Sequence, residues 1–455
     1  MLTRVEIDGF KSFEGLGLDL HPFTVIAGPN ASGKSNFFDA LRLLSRLAAV
    51  DVPDAVRGMR GDPSEMFRCR PDGQPVDAIR FAVEVLLDGE IEDAFGQRKS
   101  LTYTRLRYEL EIERRSDASG GPERLFVRHE QAATIRRSDD RWIRQPGLSR
   151  DFAKLRAKYA TGGQRSPFLQ TLNDQFQVNQ DGVQGRPRPF PVPKGQATAT
   201  VLSKITTATE FPHLFALRQE LESMTFLQLE SAAAREPSDA LAPDDLLADG
   251  SNLAKVLARI EADTRSPERP SGDLALIRAA LASLIPGVGD LHVERDSAYG
   301  RYRLFVTMRD GSRFSSRVLS DGTLRALALL TFLNDPRRKS VLLFEEPENG
   351  IHENRLKRLV GLLREACTSV REAEEGRLFQ VILNTHSPIV LRETHDDEIV
   401  VVDVVSRVDP VHGPTRRTRM RTGVSTDQLP LDDREHALSR EEVERILQRG
   451  DQDAA

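Results

Sequence analysis

The chain has 455 residues, 39% hydrophobic and 29% charged, enough for two or three ordinary domains or for one large α/β domain with insertions. Its 64 Lys and Arg against 69 Asp and Glu leave a net charge of −5, which excludes a uniformly basic nucleic-acid coat but not a local basic face. Cys69 and Cys367 are the two cysteines, far apart and without a CxxC, which excludes a disulfide framework or zinc site and fits a reducing cytosol.

MLTRVEIDGFKSF lacks the apolar core of a signal peptide, and LRALALLTFL is too short to cross a bilayer, so a cytoplasmic chain without a membrane span is expected. Residues 1 to 50 predict two short strands, then VIAGPNASGKSNFFDAL, a strand running through a glycine turn into a helix. Phe37, Leu41, Leu44 and Ala48 fall at helical spacing, as a helix packed on a sheet requires. A polar Gly/Pro passage from 51 to 77 reads as loop. FAVEVLLDGE and LTYTRLRYELEIER alternate like antiparallel strands, with a turn near 116 to 121 before ERLFVRHE, and predict a meander beside a nucleotide-binding sheet.

Between 131 and 200 apolar residues thin out and PRPFPVPKG marks a stiff linker, so an insertion is expected. Residues 136 to 188 hold eleven Lys or Arg against five Asp, with Trp142, Phe152 and Tyr159 interleaved. Such a stretch suits a phosphate backbone or simply a solvated face. From Ser251 the pattern is helical, with Leu253, Val256, Leu257 and Ile260 on one stripe, then a second helix over 273 to 285. Two strands follow, with Asp310-Gly311 as a hairpin turn. A helix from Thr323 to Leu333, a buried strand VLLFEE, a helix over 354 to 374, and strands LFQVILNTH and EIVVVDVV complete the alternation of a mainly parallel sheet. The segment beyond 410, with PTRRTRMR and a short charged helix, carries no assignable chemistry.

The spacing of Gly28, Gly33, Lys34 and Ser35 is that of a phosphate-binding loop. Converging backbone N–H groups and the helix N-terminus meet the phosphates, Lys34 adds a point charge, and Ser35 offers a hydroxyl to Mg²⁺. Glu345 and Glu346 end an apolar strand, a position suited to holding Mg²⁺ by the first and activating water by the second. A solvated strand terminus would look the same. LSDGT opens a helix, with Ser320 placed 25 residues before Glu345, and can offer N–H groups and a hydroxyl to a phosphate. NTHSP puts His386 just past the next strand, where an imidazole can hydrogen-bond a γ-phosphate.

In this order the segments resemble the head domain of ABC-type ATPases: GPNASGKS as Walker A, LSDGT as the signature, VLLFEE as Walker B, PENGIH as the D-loop and the histidine of NTHSP as the switch residue. GFKSF, Asn36, LSDGTLR, EEPENGIH and THSP are similar to the SMC, RecF and OLD group and its stand-alone bacterial AAA-family relatives. The likeness covers about 1 to 50 and 315 to 405 and extends more weakly over 224 to 257. Three positions depart from the usual spelling: Glu345 for Asp, Asp321 for the second signature residue, and His352 for the D-loop Asp.

The resemblance implies an α/β P-loop NTPase with the ABC-head sheet, an antiparallel β subdomain and a helical or irregular insertion. It divides the chain into 1–130, a partly flexible insertion at 131–215, 216–410, and a tail at 411–455. It implies ATP and Mg²⁺, with Gly28, Pro29, Asn30, Ala31, Ser32, Gly33, Lys34, Ser35 and Asn36 at the nucleotide. Ser35, Glu345 and Gln228, the last in the Q-loop position, serve the metal. Glu346 acts as the base and His386 contacts the γ-phosphate. Ser320 and Gly322 complete the site of a second copy or related chain.

Three outputs follow as expectations: an ATPase coupled to DNA in repair or phage defence, a regulatory ATPase that clamps a partner protein such as a nuclease or toxin, or a transporter-associated ATPase. The 286 positions from Lys34 to Ser320 are too many for a transporter subunit, and long heptad arms are missing. The 69 residues after His386 are too few for a nuclease domain, so no endonuclease is expected from this chain alone.

Overall fold

The computed structural model describes residues 1–115, 123–144, 159–161, 166–173, 175–179, 188–190, 196–367, 377–409, 413–422 and 440–445. The chain divides into two units, the first Met1–Met224, Cys367–Ile382 and Thr394–Ala455, the second Thr225–Ala366 and Leu383–Glu393. The fold is mixed α/β, with antiparallel and parallel pairing.

In the first unit, alternation produces an antiparallel sheet. Along Arg105–Arg115, Leu106, Tyr108, Leu110 and Ile112 are buried while Arg107, Glu109 and Glu111 face the other way. This strand lies between Ala78–Leu86 and Arg124–Thr134, the meander that the alternation predicts, and Leu2–Asp8 and Leu16–Asp19 extend it on one side. The turn at 116–121 lies outside the described residues.

Three strands from the insertion, Leu169–Leu172, Gln175–Val178 and Arg188–Phe190, extend the same sheet on its other side. Among the described residues, Trp142 and Tyr159 pack rather than project. Trp142 is fully buried in a cluster with Met1, Leu86 and Leu378, and its indole N–H donates to the Leu20 carbonyl at 2.8 Å. Arg105, also buried, lies over its ring and makes two hydrogen bonds to the buried Asp140, at 2.8 and 2.9 Å. Tyr159 donates its hydroxyl to Asp140, and Phe152 lies outside the described residues. Of the aromatics interleaved in the basic stretch, Trp142 therefore lies neither on a solvated face nor at a phosphate contact, because its ring belongs to the core.

The polar passage read as loop contains a short helix, Val52–Arg57, started by Pro53 and anchored by buried Val52, Ala55 and Val56. Phe23–Ala27, buried along its whole length, leads into helix Lys34–Ala49 and pairs in parallel with Ile399–Asp409. The helix buries Phe37, Leu41, Leu44 and Ala48, as the spacing predicts. The segment set apart as a tail is corrected in its first part: Gly413–Thr422 is a strand, antiparallel to Ile399–Asp409.

In the second unit, helix Leu253–Thr264 buries Leu253, Val256, Leu257 and Ile260, and helix Leu274–Leu284 follows. Val288–Asp296, Arg301–Met308 and Arg313–Ser315 form an antiparallel sheet, with Gly311 at φ 86° in the expected hairpin turn. Helix Asp321–Leu333 is buried on nearly all sides, which its apolar composition demands. Strand Val341–Glu345 and helix Glu353–Ala366 follow.

Candidate functional site

The candidate residues fall in both units. In the first unit, the turn from Ala27 to Lys34 leaves no room for side chains at two points. A Cβ on Gly28 would lie 2.5 Å from the Val402 carbonyl oxygen and 2.9 Å from Ser32 Oγ. Gly33 has φ 104°, and a Cβ there would lie 2.3 Å from Thr418 Oγ1. Ala31 also takes the left-handed region, at φ 60°. Pro29 is half-buried and Asn30 exposed.

Lys34 is buried and donates its Nζ to the Gly28 and Pro29 carbonyls at 2.7 and 2.8 Å, so its charge sits inside the curl of the loop. No side chain caps the helix that begins at Lys34, so its N-terminal N–H groups keep their positive field. Ser32 Oγ is buried and has no hydrogen-bond partner among the described residues. Ser35, expected at the metal, is exposed at the helix start. Buried lysine, uncapped helix start and orphaned hydroxyl fit a polyphosphate with its cation.

Asn36, expected at the nucleotide, donates its Nδ2–H to Ser12 Oγ at 2.9 Å. Ser12 Oγ in turn lies 2.7 Å from Thr418 Oγ1, and the Thr418 hydroxyl donates to the Ser32 carbonyl at 3.1 Å. Ser12 and Thr418 therefore hold the loop. Ser12 carried a signal in GFKSF, and Thr418 carried none.

In the second unit, Glu345 and Glu346 end the buried strand Val341–Glu345, both half-buried. Glu346 has φ 47°, and its N–H donates to the Asn384 carbonyl at 3.1 Å and to Asn384 Oδ1 at 2.9 Å. Asn349 Nδ2 donates to Glu346 Oε2 at 2.6 Å, which leaves Oε1 for another donor. His386 is brought to the same cluster by Glu348, whose Oε1 accepts from Thr385 Oγ1 at 2.7 Å and from the His386 N–H at 2.9 Å. The same oxygen lies 3.2 Å from His386 Nδ1. Nδ1 itself is buried without a hydrogen-bond partner among the described residues, so Glu348 holds His386 through its backbone N–H and not through the ring.

Ser320 is the N-cap of helix Asp321–Leu333, its Oγ accepting from the Thr323 N–H at 3.3 Å. A Cβ on Gly322 would lie 2.3 Å from the Gly350 carbonyl oxygen, so the LSDGT turn packs directly on the PENG loop. Asp321 is gripped by Arg235, which holds its carboxyl below the usual range. Gln228 is exposed just beyond strand Met224–Leu227, with its N–H bonded to the Ala248 carbonyl at 3.0 Å. His352 is exposed. Sequence reasoning missed Asn384, Asn349, Glu348 and Arg235 as partners, although the first three stand inside quoted motifs.

Residues 23–392 match a family described as "AAA domain, putative AbiEii toxin, Type IV TA system". The chain is 54% identical over 41 residues to the chromosome partition protein Smc of Methanocaldococcus jannaschii, a match spanning 9% of this chain and 4% of that protein. Among solved structures, the Smc head domain with a coiled coil and joint from Pyrococcus yayanosii is similar at 12% identity and a TM-score of 0.47, covering 99% of each chain. An Smc head bound to the C-winged helix domain of ScpA is similar at 15% identity and a TM-score of 0.45, covering 92% of this chain and 97% of that one. Among the described residues no helix is long and apolar enough to cross a membrane.

Proposed function

The chain belongs to the AAA-domain family described as a putative AbiEii toxin of a type IV TA system, and from that premise we propose that it binds and hydrolyses ATP with Mg²⁺ and pairs with a second copy when ATP is bound. The observation that carries this reading is the phosphate loop: two glycines with no room for a Cβ, a buried Lys34 and an orphaned Ser32 hydroxyl. Lys34 and the loop amides hold the phosphates, and Ser35 and Glu345, with Gln228, are assigned to the cation. Mg²⁺ supplies positive charge against the phosphate oxygens when bound. Glu346 orients and deprotonates the attacking water, and His386 donates to the γ-phosphate. Ser320 and Gly322 serve the nucleotide of the second copy.

Glu346→Gln tests the base: ATP binding persists while turnover falls by about a hundredfold or more. Hydrolysis at the wild-type rate would remove Glu346 from this role.

The output we propose is an ATPase coupled to DNA, in repair or phage defence, with exposed Arg136, Arg137 and Arg141 among its contacts. Turnover stimulated by DNA, with a salt-dependent affinity lost when these arginines are neutralised, supports it. A second output is the clamping of a partner protein such as a toxin or nuclease; the family description, which names a putative toxin of a type IV TA system, is compatible with it. A salt-independent partner that co-purifies with the ATP-bound chain would decide for that one.

A further inference from the structure

The LSDGT turn carries a carboxylate, Asp321, at the first position of the helix whose N-terminus would receive a phosphate. A like charge there opposes a polyphosphate unless it is cancelled. The second unit supplies the cancelling group. Arg235, the last residue of the short helix Ser231–Arg235, donates from Nη2 to Asp321 Oδ1 and, at 3.0 Å, to the carbonyl of Leu319. One guanidinium thus neutralises the carboxylate and pins the residue that enters the turn.

The attachment is not a lone surface pair. The Arg235 carbonyl accepts from Ser316 Oγ at 2.7 Å, and the neighbouring Glu236 pairs with Arg317 at 2.8 Å, so the backbone on both sides is tied to the segment leading into LSDGT. Across the turn, Gly322 rests on the Gly350 carbonyl. The turn is therefore held from both flanks, by Arg235 and by the PENG loop.

We propose that Arg235 is the positioning residue of the LSDGT turn, holding it in shape and masking the Asp321 charge so that it can accept the triphosphate carried by a second copy of the chain. This rests on the pairing proposed above. The bonds of Arg235 to Leu319, Asp321 and Ser316 involve no residue assigned to the nucleotide of its own copy, so binding by the isolated chain is expected to be independent of it and pairing to depend on it. The carboxylate is the reason the arginine is needed, and removing both removes the conflict.

The test is a double-substitution cycle read by sedimentation in ATP and Mg²⁺, with a fluorescent ATP analogue reporting binding by the unpaired chain. Arg235→Ala is expected to weaken ATP-driven self-association by tenfold or more with analogue binding unchanged. Arg235→Ala combined with Asp321→Asn is expected to recover at least threefold of that loss. Should Arg235→Ala melt early, Arg235→Gln, which keeps an amide donor for the Leu319 carbonyl without charge, takes its place, and the same recovery is expected. Self-association as strong in the single variant as in the wild type, or a double variant recovering less than threefold, overturns the inference. A wild-type chain that never self-associates overturns the pairing itself, and this inference with it.

Discussion

Glu346 adopts φ 47°, a backbone region that costs a residue with a side chain about 1–3 kcal/mol unless its surroundings impose it. Asn384 imposes it by accepting the Glu346 N–H with both its backbone and side-chain oxygens. If Glu346 has the role proposed for it, Asn384→Ala is expected to lower ATP turnover by about tenfold with ATP binding retained, since only the aim of Glu346 is lost. Steady-state rates beside a nucleotide titration check this, and an unchanged rate would deny Asn384 the role. Two acids ending an apolar strand made Glu346 legible in the sequence. Its partner, 38 residues away, was not, because strand pairing rather than local spacing brings them together.

A second residue-scale prediction concerns stability. Burial pushes the Glu130 carboxyl up to about 7, even though Val201 N–H, Leu202 N–H and the Tyr108 hydroxyl donate to it. The folded chain then holds a proton that the unfolded chain releases near pH 4.5. Stability is full below that point and falls as pH rises towards 7, by about 1.4 kcal/mol per unit at the steepest. Denaturant melts at pH 5, 6 and 7 are expected to show the fall in the wild type and a flatter course in Glu130→Gln. Parallel courses would assign the pH dependence elsewhere.

At the scale of elements, the phosphate loop is braced by the hairpin of Ile399–Asp409 and Gly413–Thr422, through Val402 behind Gly28 and Thr418 behind Gly33. Thr418→Val keeps the shape and removes the hydroxyl, leaving the Ser32 carbonyl short of a donor and Ser12 Oγ short of a partner, a loss of about 1–3 kcal/mol. ATP affinity is expected to drop about fivefold to tenfold with a modest fall in melting temperature, by titration and calorimetry. An unaltered affinity would reduce the hairpin to a neighbour. The strand was illegible because RRTRMR reads as a basic run. In the fold one face buries Thr418 and Met420, and Arg419 and Arg421 on the other pair with Asp403. Composition misled likewise in the insertion, where Trp142 is a core residue beneath a polar sequence. Helix Lys34–Ala49 and the meander were legible because strict periods of 3.6 and 2 leave little choice of face.

On the scale of the whole molecule, the phosphate loop belongs to one unit and Glu346, His386 and Ser320 to the other, and the family model runs across both. The order of motifs along the chain points to the same ATPase family over both stretches. On the proposed reading ATP draws two copies together. The direct measurement is the mass of the Glu346→Gln chain by light scattering, with and without ATP and Mg²⁺. Twice the chain mass with ATP and the single mass without it is the predicted result, and a single mass in saturating ATP would contradict the account.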